Sequence, residues 1–319
     1  MDVLDAEDVH RLLDYQSLIA ALATAHRQSA PVTSRVFLEA TGDDRPAGEG
    51  FLVLPAWSNG RDFGTKLVTL LPDNAVKEDG YPTVQAIYPY FDGETGAPKA
   101  VIDGTALTLR KTAADSALGS SMLSQSDANT LLMVGAGALA PHLIAAHRAA
   151  RPSLEKVVVW NRTPERRDTL VAALQDDLVI EAATDLEGAV RQADVISAAT
   201  MATEPLIRGS WLKPGSHVDL VGGFTPEMRE SDDEAIVRAS VFVDSFETTV
   251  GVAGDIVQPM QAGVLAEGDI RSDLYGLCRG DHPGRSAAEE ITLYKNGGGA
   301  HLDLFTARHL VKCFDAERA

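Results

Sequence analysis

The chain is poor in cysteine, in cationic residues and in long apolar runs, and each shortage excludes a class of protein. Only Cys278 and Cys313 occur among 319 residues. They are far apart and form no CxxC pair, so neither a disulfide framework nor a zinc site is expected. Lys and Arg total 28 against 46 Asp and Glu, a formal charge of −18. A surface of that sign repels phosphate backbones and anionic lipid, which argues against nucleic-acid and membrane partners. No apolar run approaches the roughly 18 residues of a membrane-spanning helix. The first residues carry Asp2, Asp5, Glu7 and Asp8, the reverse of a basic secretory leader. A soluble protein of the reducing cytoplasm is expected. GxSxG, P-loop, HExxH and EF-hand motifs are also missing. The eight histidines show no ligand spacing, and no metal is expected. There is no internal repeat and no low-complexity segment.

Apolar residues make up 45% of the chain, enough for two cores of ordinary size. The first part reads as mixed α/β. Helices are predicted over Ala6–Leu13, Tyr15–Arg27 and Thr105–Ser124. Strands are predicted over Arg35–Leu38, Gly50–Pro55, Phe63–Leu71, Gln85–Phe91 and Lys99–Ile102, with a loop over residues 43–50. After Asp127 strands and helices alternate. Strands at Thr130–Val134, Lys156–Trp160, Leu178–Glu181, Asp194–Ala198, His217–Val221 and Val241–Asp244 imply a parallel, doubly wound sheet. Helices are predicted at Ala138–Ala150, from Thr163 to Leu174, at Asp185–Gln192 and at His301–Phe314. The fold class is α/β: a central Rossmann domain plus a mixed α/β domain.

Val134-Gly135-Ala136-Gly137-Ala138-Leu139-Ala140 is a GxGxxA turn between a strand and a helix. Gly135 permits the tight turn. Gly137 lets backbone approach a pyrophosphate, and Ala140 permits close packing of helix on sheet. The helix N-terminus offers free N–H groups and a positive dipole. NAD-binding chains place an acid at the end of the second strand, for the ribose 2′-hydroxyl. Here that position reads Trp160-Asn161-Arg162-Thr163. Arg162 can pair with a 2′-phosphate, while Asn161 and Thr163 can bond its oxygens. NADP(H) is therefore the expected cofactor, with NAD(H) the alternative.

Further strings carry a resemblance. They are Leu54-Pro55-Ala56-Trp57, Gly64-Thr65-Lys66-Leu67-Val68, Asp103-Gly104, Thr112-Ala113-Ala114-Asp115-Ser116-Ala117, Ala202-Thr203-Glu204-Pro205, Arg229-Glu230-Ser231-Asp232-Asp233, Val243-Asp244-Ser245 and His282-Pro283-Gly284-Arg285. With the turn and Trp160–Thr163, the chain resembles the ornithine cyclodeaminase/mu-crystallin family along nearly its whole length. The Trp-Asn-Arg-Thr string is similar to the NADPH-binding mu-crystallin branch. The resemblance implies a substrate and dimerisation domain over residues 1–118 with 301–319, and a Rossmann domain over 119–300. It implies a homodimer.

The resemblance also implies hydride transfer between a nicotinamide and the Cα of an imino or amino acid. Arg35 falls where family members grip the substrate carboxylate, a task suited to a planar guanidinium. Lys66 falls at the catalytic lysine. A lysine inside the apolar run Phe63–Leu71 is unusual, although it can also snorkel out at a strand edge. Thr83 and Gln85 fall near substrate or nicotinamide. Further cofactor contacts are implied at Ala138, Leu139, Thr112, Thr200, Met201 and Asn296.

Three departures refine the expectation. Lys111 occupies a family arginine position, with Arg110 one residue earlier. One residue turns a helical side chain by about 100°, so which of the two serves is open. Phe224 follows Gly222-Gly223 where cyclodeaminases carry an aspartate, which argues against ornithine cyclodeamination. Lys295-Asn296-Gly297-Gly298-Gly299 replaces the family's Lys-Ser-x-Gly. The expected activity is NAD(P)H-dependent reduction of small or cyclic α-imino acids, such as 1-pyrroline-2-carboxylate or 1-piperideine-2-carboxylate to L-proline or L-pipecolate. Alternatives are an ornithine cyclodeaminase, an alanine dehydrogenase-like enzyme, or an NADPH-dependent binding protein without turnover.

Overall fold

A computed structural model describes residues 1–39, 49–77 and 80–319. Most of the predicted loop after Asp43 lies outside the described residues. The chain divides into two compact units. The first comprises residues 1–25, 29–111 and 299–319; the second comprises 26–28 and 112–298.

The first unit is built on a sheet of strands β1 (Asp2–Leu4), β2 (Val32–Thr33), β3 (Val36–Glu39), β4 (Gly50–Ser58), β5 (Asp62–Leu70), β6 (Val84–Asp92) and β7 (Pro98–Asp103). Its order is β1-β7-β6-β5-β4-β2, with β3 also on β4. Only β1 pairs in parallel, with β7. The short β1 and β2 have no sequence pattern long enough to read. Along β5, Asp62, Gly64, Lys66 and Val68 are buried while the residues between them are more exposed. This is the alternation of a strand with one face on a core. Helices α1 (Ala6–Leu12), α2 (Tyr15–His26) and α3 (Gly104–Leu123) belong to the N-terminal half. The last helix of the chain, Ala300–Glu317, packs on β4, β5 and β6. Arg308 on that helix makes a two-pronged bond to buried Asp62, both contacts at 2.6 Å. Tyr90 Oη donates to the same carboxylate at 2.7 Å.

The second unit holds an entirely parallel sheet. Its strands are β8 (Thr130–Val134), β9 (Lys156–Trp160), β10 (Val179–Ala182), β11 (Val195–Ala198), β12 (His217–Leu220), β13 (Ala239–Val243), β14 (Ser272–Asp273) and β15 (Ile291–Lys295). The order β10-β9-β8-β11-β12-β15-β13-β14 begins 3-2-1-4-5 in chain order, as in the dinucleotide-binding fold, and the last strand of the unit, β15, takes the sixth place. Helices α4 (Ala140–Ala150), α5 (Pro164–Leu174), α6 (Leu186–Gln192), α7 (Asp233–Arg238), α8 (Phe246–Thr249), α9 (Gly254–Gln261) and α10 (Leu274–Arg279) connect the strands, which makes the last helix α11. Leu132, Val134, Ile196, Val218, Leu220 and Leu293 lie in its core.

Ile291–Lys295 is a strand absent from the sequence prediction, and as β15 it stands between β12 and β13. Buried parallel strands usually read as unbroken apolar runs. Ile291-Thr292-Leu293-Tyr294-Lys295 does not, yet all five residues are buried. Its polar atoms find partners inside, such as Tyr294 Oη donating to Asp115 at 2.9 Å. Ala138 and Leu139 are a second correction. They form a turn, and α4 begins at Ala140. Among the described residues no helix is long and apolar enough to cross a membrane.

Candidate active site

In the first unit the alternation of β5 turns Lys66 inward, where it is only 6% exposed. It does not snorkel. Its Nζ donates to Asp303 Oδ1 at 3.0 Å and lies 2.9 Å from Oδ2. A weaker bond runs to Thr108 Oγ1 at 3.4 Å. Lys111 Nζ lies 3.9 Å from the same carboxylate. Two ammonium groups thus share one fully buried aspartate, leaving a formal charge of +1. Burial pushes Lys66 down to about 8. Asp303 opposes that fall and Lys111 adds to it. A lysine in that range carries a proton at neutral pH and can part with it.

Asp303 is the residue that sequence reading missed. It sits in Leu302-Asp303-Leu304-Phe305, an acid within an apolar run. The same oddity draws attention to Lys66 and applies equally here.

Glycine at position 64 has a steric reason. A Cβ there would lie 2.6 Å from Tyr88 Oη and 2.5 Å from its ring. The pairs Gly64↔Tyr90 and Leu67↔Ile87 set Tyr88 opposite Lys66. The hydroxyl of Tyr88 is buried and has no hydrogen-bond partner among the described residues.

Arg35 lies between β2 and β3 and is exposed. The pairs Thr33↔Ala56 and Val36↔Val53 set it opposite Leu54, and Leu54 pairs with Lys66. Arg35 and Lys66 therefore share one row of the sheet, two strand spacings or about 10 Å apart. Thr83 does not join them. It precedes β6, five residues from Tyr88, which is about 17 Å along a strand. The half-buried Thr83 and exposed Gln85 lie at the far end of β6; the strand direction, invisible to motif matching, takes them away.

In the second unit Gly135 has φ +109°, and a Cβ there would meet Ala199 O at 2.6 Å. Only glycine suits that conformation. By contrast, a Cβ on Gly137 would meet nothing within 4 Å. Packing within the protein gives no reason for that glycine, whereas close approach by a ligand does. Ala138 is exposed, Leu139 half-buried and Ala140 buried. Asn161 braces the turn: its Oδ1 accepts from Ala136 N at 3.1 Å, and its Nδ2 donates to Thr163 O at 2.8 Å. Both polar atoms are engaged in shaping the loop, which makes Asn161 a brace. Thr163 holds the N-cap conformation of α5, but its hydroxyl does not cap. Arg162 is exposed. The uncapped hydroxyl, the exposed guanidinium and the open space above Gly137 fit a dinucleotide phosphate.

The loops after β11 and β12 are tied together by Glu230, a second residue whose part is not legible in sequence. Fully buried, it accepts from Thr200 N, Thr200 Oγ1 and Gly222 N, each at 2.7 Å. Asp255 in turn accepts from Glu230 N at 2.8 Å and lies 3.3 Å from Lys295 Nζ. Thr200 thus spends its hydroxyl on Glu230, while Met201 is 74% exposed. Asn296, after β15, donates to Thr112 O and Ser116 Oγ at 3.0 Å each. Its Oδ1 is buried without a partner among the described residues, an acceptor available to a carboxamide or ribose hydroxyl.

The family model for the ornithine cyclodeaminase/mu-crystallin family matches residues 1–314. The chain belongs to that family. It is 40% identical over 301 residues to the Delta(1)-pyrroline-2-carboxylate reductase of Paracoccus denitrificans, covering 94% of this chain and 93% of the relative. The solved structure of Thermococcus litoralis Delta(1)-pyrroline-2-carboxylate reductase in complex with NADH and L-proline matches with a TM-score of 0.91. That match is 27% identical and covers 100% of this chain and 99% of the other. An archaeal alanine dehydrogenase dimer with bound NAD matches with a TM-score of 0.89 at 25% identity, over 100% and 97% of the two chains.

For this ornithine cyclodeaminase/mu-crystallin family member, the structure separates the two cations of the Arg110-Lys111 pair. Arg110 donates to His10 O at 2.8 Å and lies 4.7 Å over the Tyr15 ring. Lys111 alone reaches Asp303. Phe224 is 52% exposed and brings no carboxylate to the end of β12.

Proposed function

We propose that the chain is an NAD(P)H-dependent reductase of small cyclic α-imino acids, taking 1-pyrroline-2-carboxylate and 1-piperideine-2-carboxylate to L-proline and L-pipecolate. The observation that carries this reading is the buried Lys66–Asp303–Lys111 cluster, one positive charge in excess. An imino acid with one carboxylate balances it. The 40% identical reductase relative supports the same reaction class.

When bound, the reduced nicotinamide supplies a hydride to the imine carbon. The rest falls to the protein. Arg35, in the row of Lys66, holds the substrate carboxylate, with Lys111 as a second cation. The Lys66 ammonium donates a proton to the imine nitrogen. The C=N double bond becomes a C–H and an N–H bond, and Lys66 recovers its proton from solvent. Fixing these groups before the substrate arrives removes much of the entropic cost of assembling them. Phe224 offers no base for a second amine, so cyclodeamination of ornithine is disfavoured.

Gly135, Gly137, Ala138, Leu139 and Thr163 would hold the dinucleotide phosphates, with Thr112, Thr200, Met201 and Asn296 toward the nicotinamide half. Arg162 confers a preference for NADP(H) over NAD(H). The chain forms a homodimer through the outer face of the first sheet. There Trp57, Phe63 and Phe91 make an aromatic ladder, with ring centroids 5.7 and 4.9 Å apart. Leu38 and Ile87 on that sheet are exposed by 57% and 46%. A reducing cytoplasm suits its two free cysteines.

The test is a spectrophotometric screen of NADPH and NADH oxidation against cyclic imino acids and against 2-oxo acids with ammonia or methylamine. Turnover of the cyclic imino acids is expected. Lys66→Ala should abolish it and leave NADPH affinity nearly intact. A wild type that binds NADPH but reduces none of these compounds is a binding protein, and the reading is wrong.

A further inference from the structure

The Lys66 ammonium is held by a single carboxylate, supplied from the far end of the chain. The other acid on this face, Asp62, is occupied by Arg308 and Tyr90. Thr108 Oγ1 already donates to Gly104 O at 2.7 Å, so toward Lys66 it can only accept. We propose that Asp303 is a positioning residue for imine reduction, holding Lys66 protonated and oriented so that its weakly bound N–H, the one facing Thr108, is the one given to substrate. This rests on the reductase reading given above.

The argument is geometric first. Asp303 Oδ1 accepts from Nζ at 3.0 Å, and Oδ2 lies 2.9 Å away as an ion-pair contact without an aligned N–H, which anchors the ammonium. A second N–H is directed at Thr108 over 3.4 Å, a long bond that an imine nitrogen displaces at little cost. Electrostatics agrees. Burial and Lys111 both favour the neutral amine at position 66, and Asp303 acts in the opposite sense. Without it, both remaining influences lower the proton affinity of Lys66. Besides Asp303 and Lys111, the elements packed here carry among their buried or half-buried groups Arg308 and His301 from α11, Tyr88 and Tyr90 from β6, and Asp62 from β5 itself. Among these acids, Asp303 alone contacts Lys66. Tyr88 is held neutral, pushed well up by burial.

The experiment titrates Lys66 in the folded protein by NMR of lysine Cε, assigned with Lys66→Arg, and follows kcat/KM against pH in parallel. Wild type should titrate near pH 8, and its activity should fall above that point. In Asp303→Asn both midpoints should move down by about one pH unit or more, with kcat at neutral pH lowered and NADPH affinity unchanged. Two buried lysines without a counter-ion risk unfolding the single variant. Lys111→Met/Asp303→Asn keeps the cluster at +1 and is compared with Lys111→Met in the same way. A folded Asp303→Asn or double variant whose Lys66 midpoint does not move overturns the proposal. If wild type reduces no imino acid, the functional reading fails by itself, while the NMR titration still decides whether Asp303 governs the proton on Lys66.

Discussion

Replacing Arg162 by alanine tests the proposed preference for NADP(H) at its narrowest point. The side chain is exposed at the end of β9, one residue before the N-cap of α5. Among the described residues it makes no hydrogen bond or ion pair, so folding should be unaffected and the whole effect should fall on ligand binding. A charge-assisted bond from a guanidinium to a phosphate is worth about 1.5–3 kcal/mol. Solvent exposure argues for the lower end, which corresponds to about tenfold in kcat/KM. NADH lacks the 2′-phosphate and should lose almost nothing. The assay is initial-rate kinetics with 1-pyrroline-2-carboxylate at saturating concentration, varying each cofactor, together with NADPH affinity by fluorescence. Raising ionic strength should narrow the NADPH/NADH ratio of wild type, because exposed charges are screened within a Debye length of about 8–10 Å. It should change the ratio of the variant less. Arg166, also exposed one turn further along α5, should compensate in part, so Arg162→Ala/Arg166→Ala should go further. Equal losses with NADH and NADPH would refute the reasoning and make Arg162 an ordinary surface residue.

Two further outcomes are expected. Asp62→Ala strands the Arg308 guanidinium and the Tyr90 hydroxyl beneath α11; losing one partner of a buried pair costs about 3–5 kcal/mol. Partial exposure of Arg308 (24% for its side chain) favours the lower figure. Urea unfolding reads it directly, and an unchanged midpoint would show the bond to be incidental. Sedimentation velocity should find a dimer at micromolar concentration, and Trp57→Glu with Leu38→Glu should yield folded monomers. A monomeric wild type would mean that the apolar outer face serves something other than self-association.

The local units of this protein were legible in its sequence. The strand Thr130–Val134, the glycine turn, the strand Lys156–Trp160 and the helix Pro164–Leu174 are each set by neighbours a few residues apart. Periodicity, positive-φ glycine and helix-start chemistry act at that range. Lys66 was legible as an anomaly, a charge within an apolar strand. Its partner was not, because Asp303 lies 237 residues away and no local pattern records which helix returns to which sheet. The choice of Lys111 over Arg110 was decided in the same way, by which helix face meets Asp303 and which meets His10 and Tyr15. The place of β15 between β12 and β13 was settled by tertiary hydrogen bonding that satisfies Tyr294 and Lys295 inside the sheet. Sequence alone determined most of the longer elements and the likeness to a family. The tertiary structure decided which charges share a burial site, because removing ions from water makes their pairing obligatory and only the folded chain fixes the pairs.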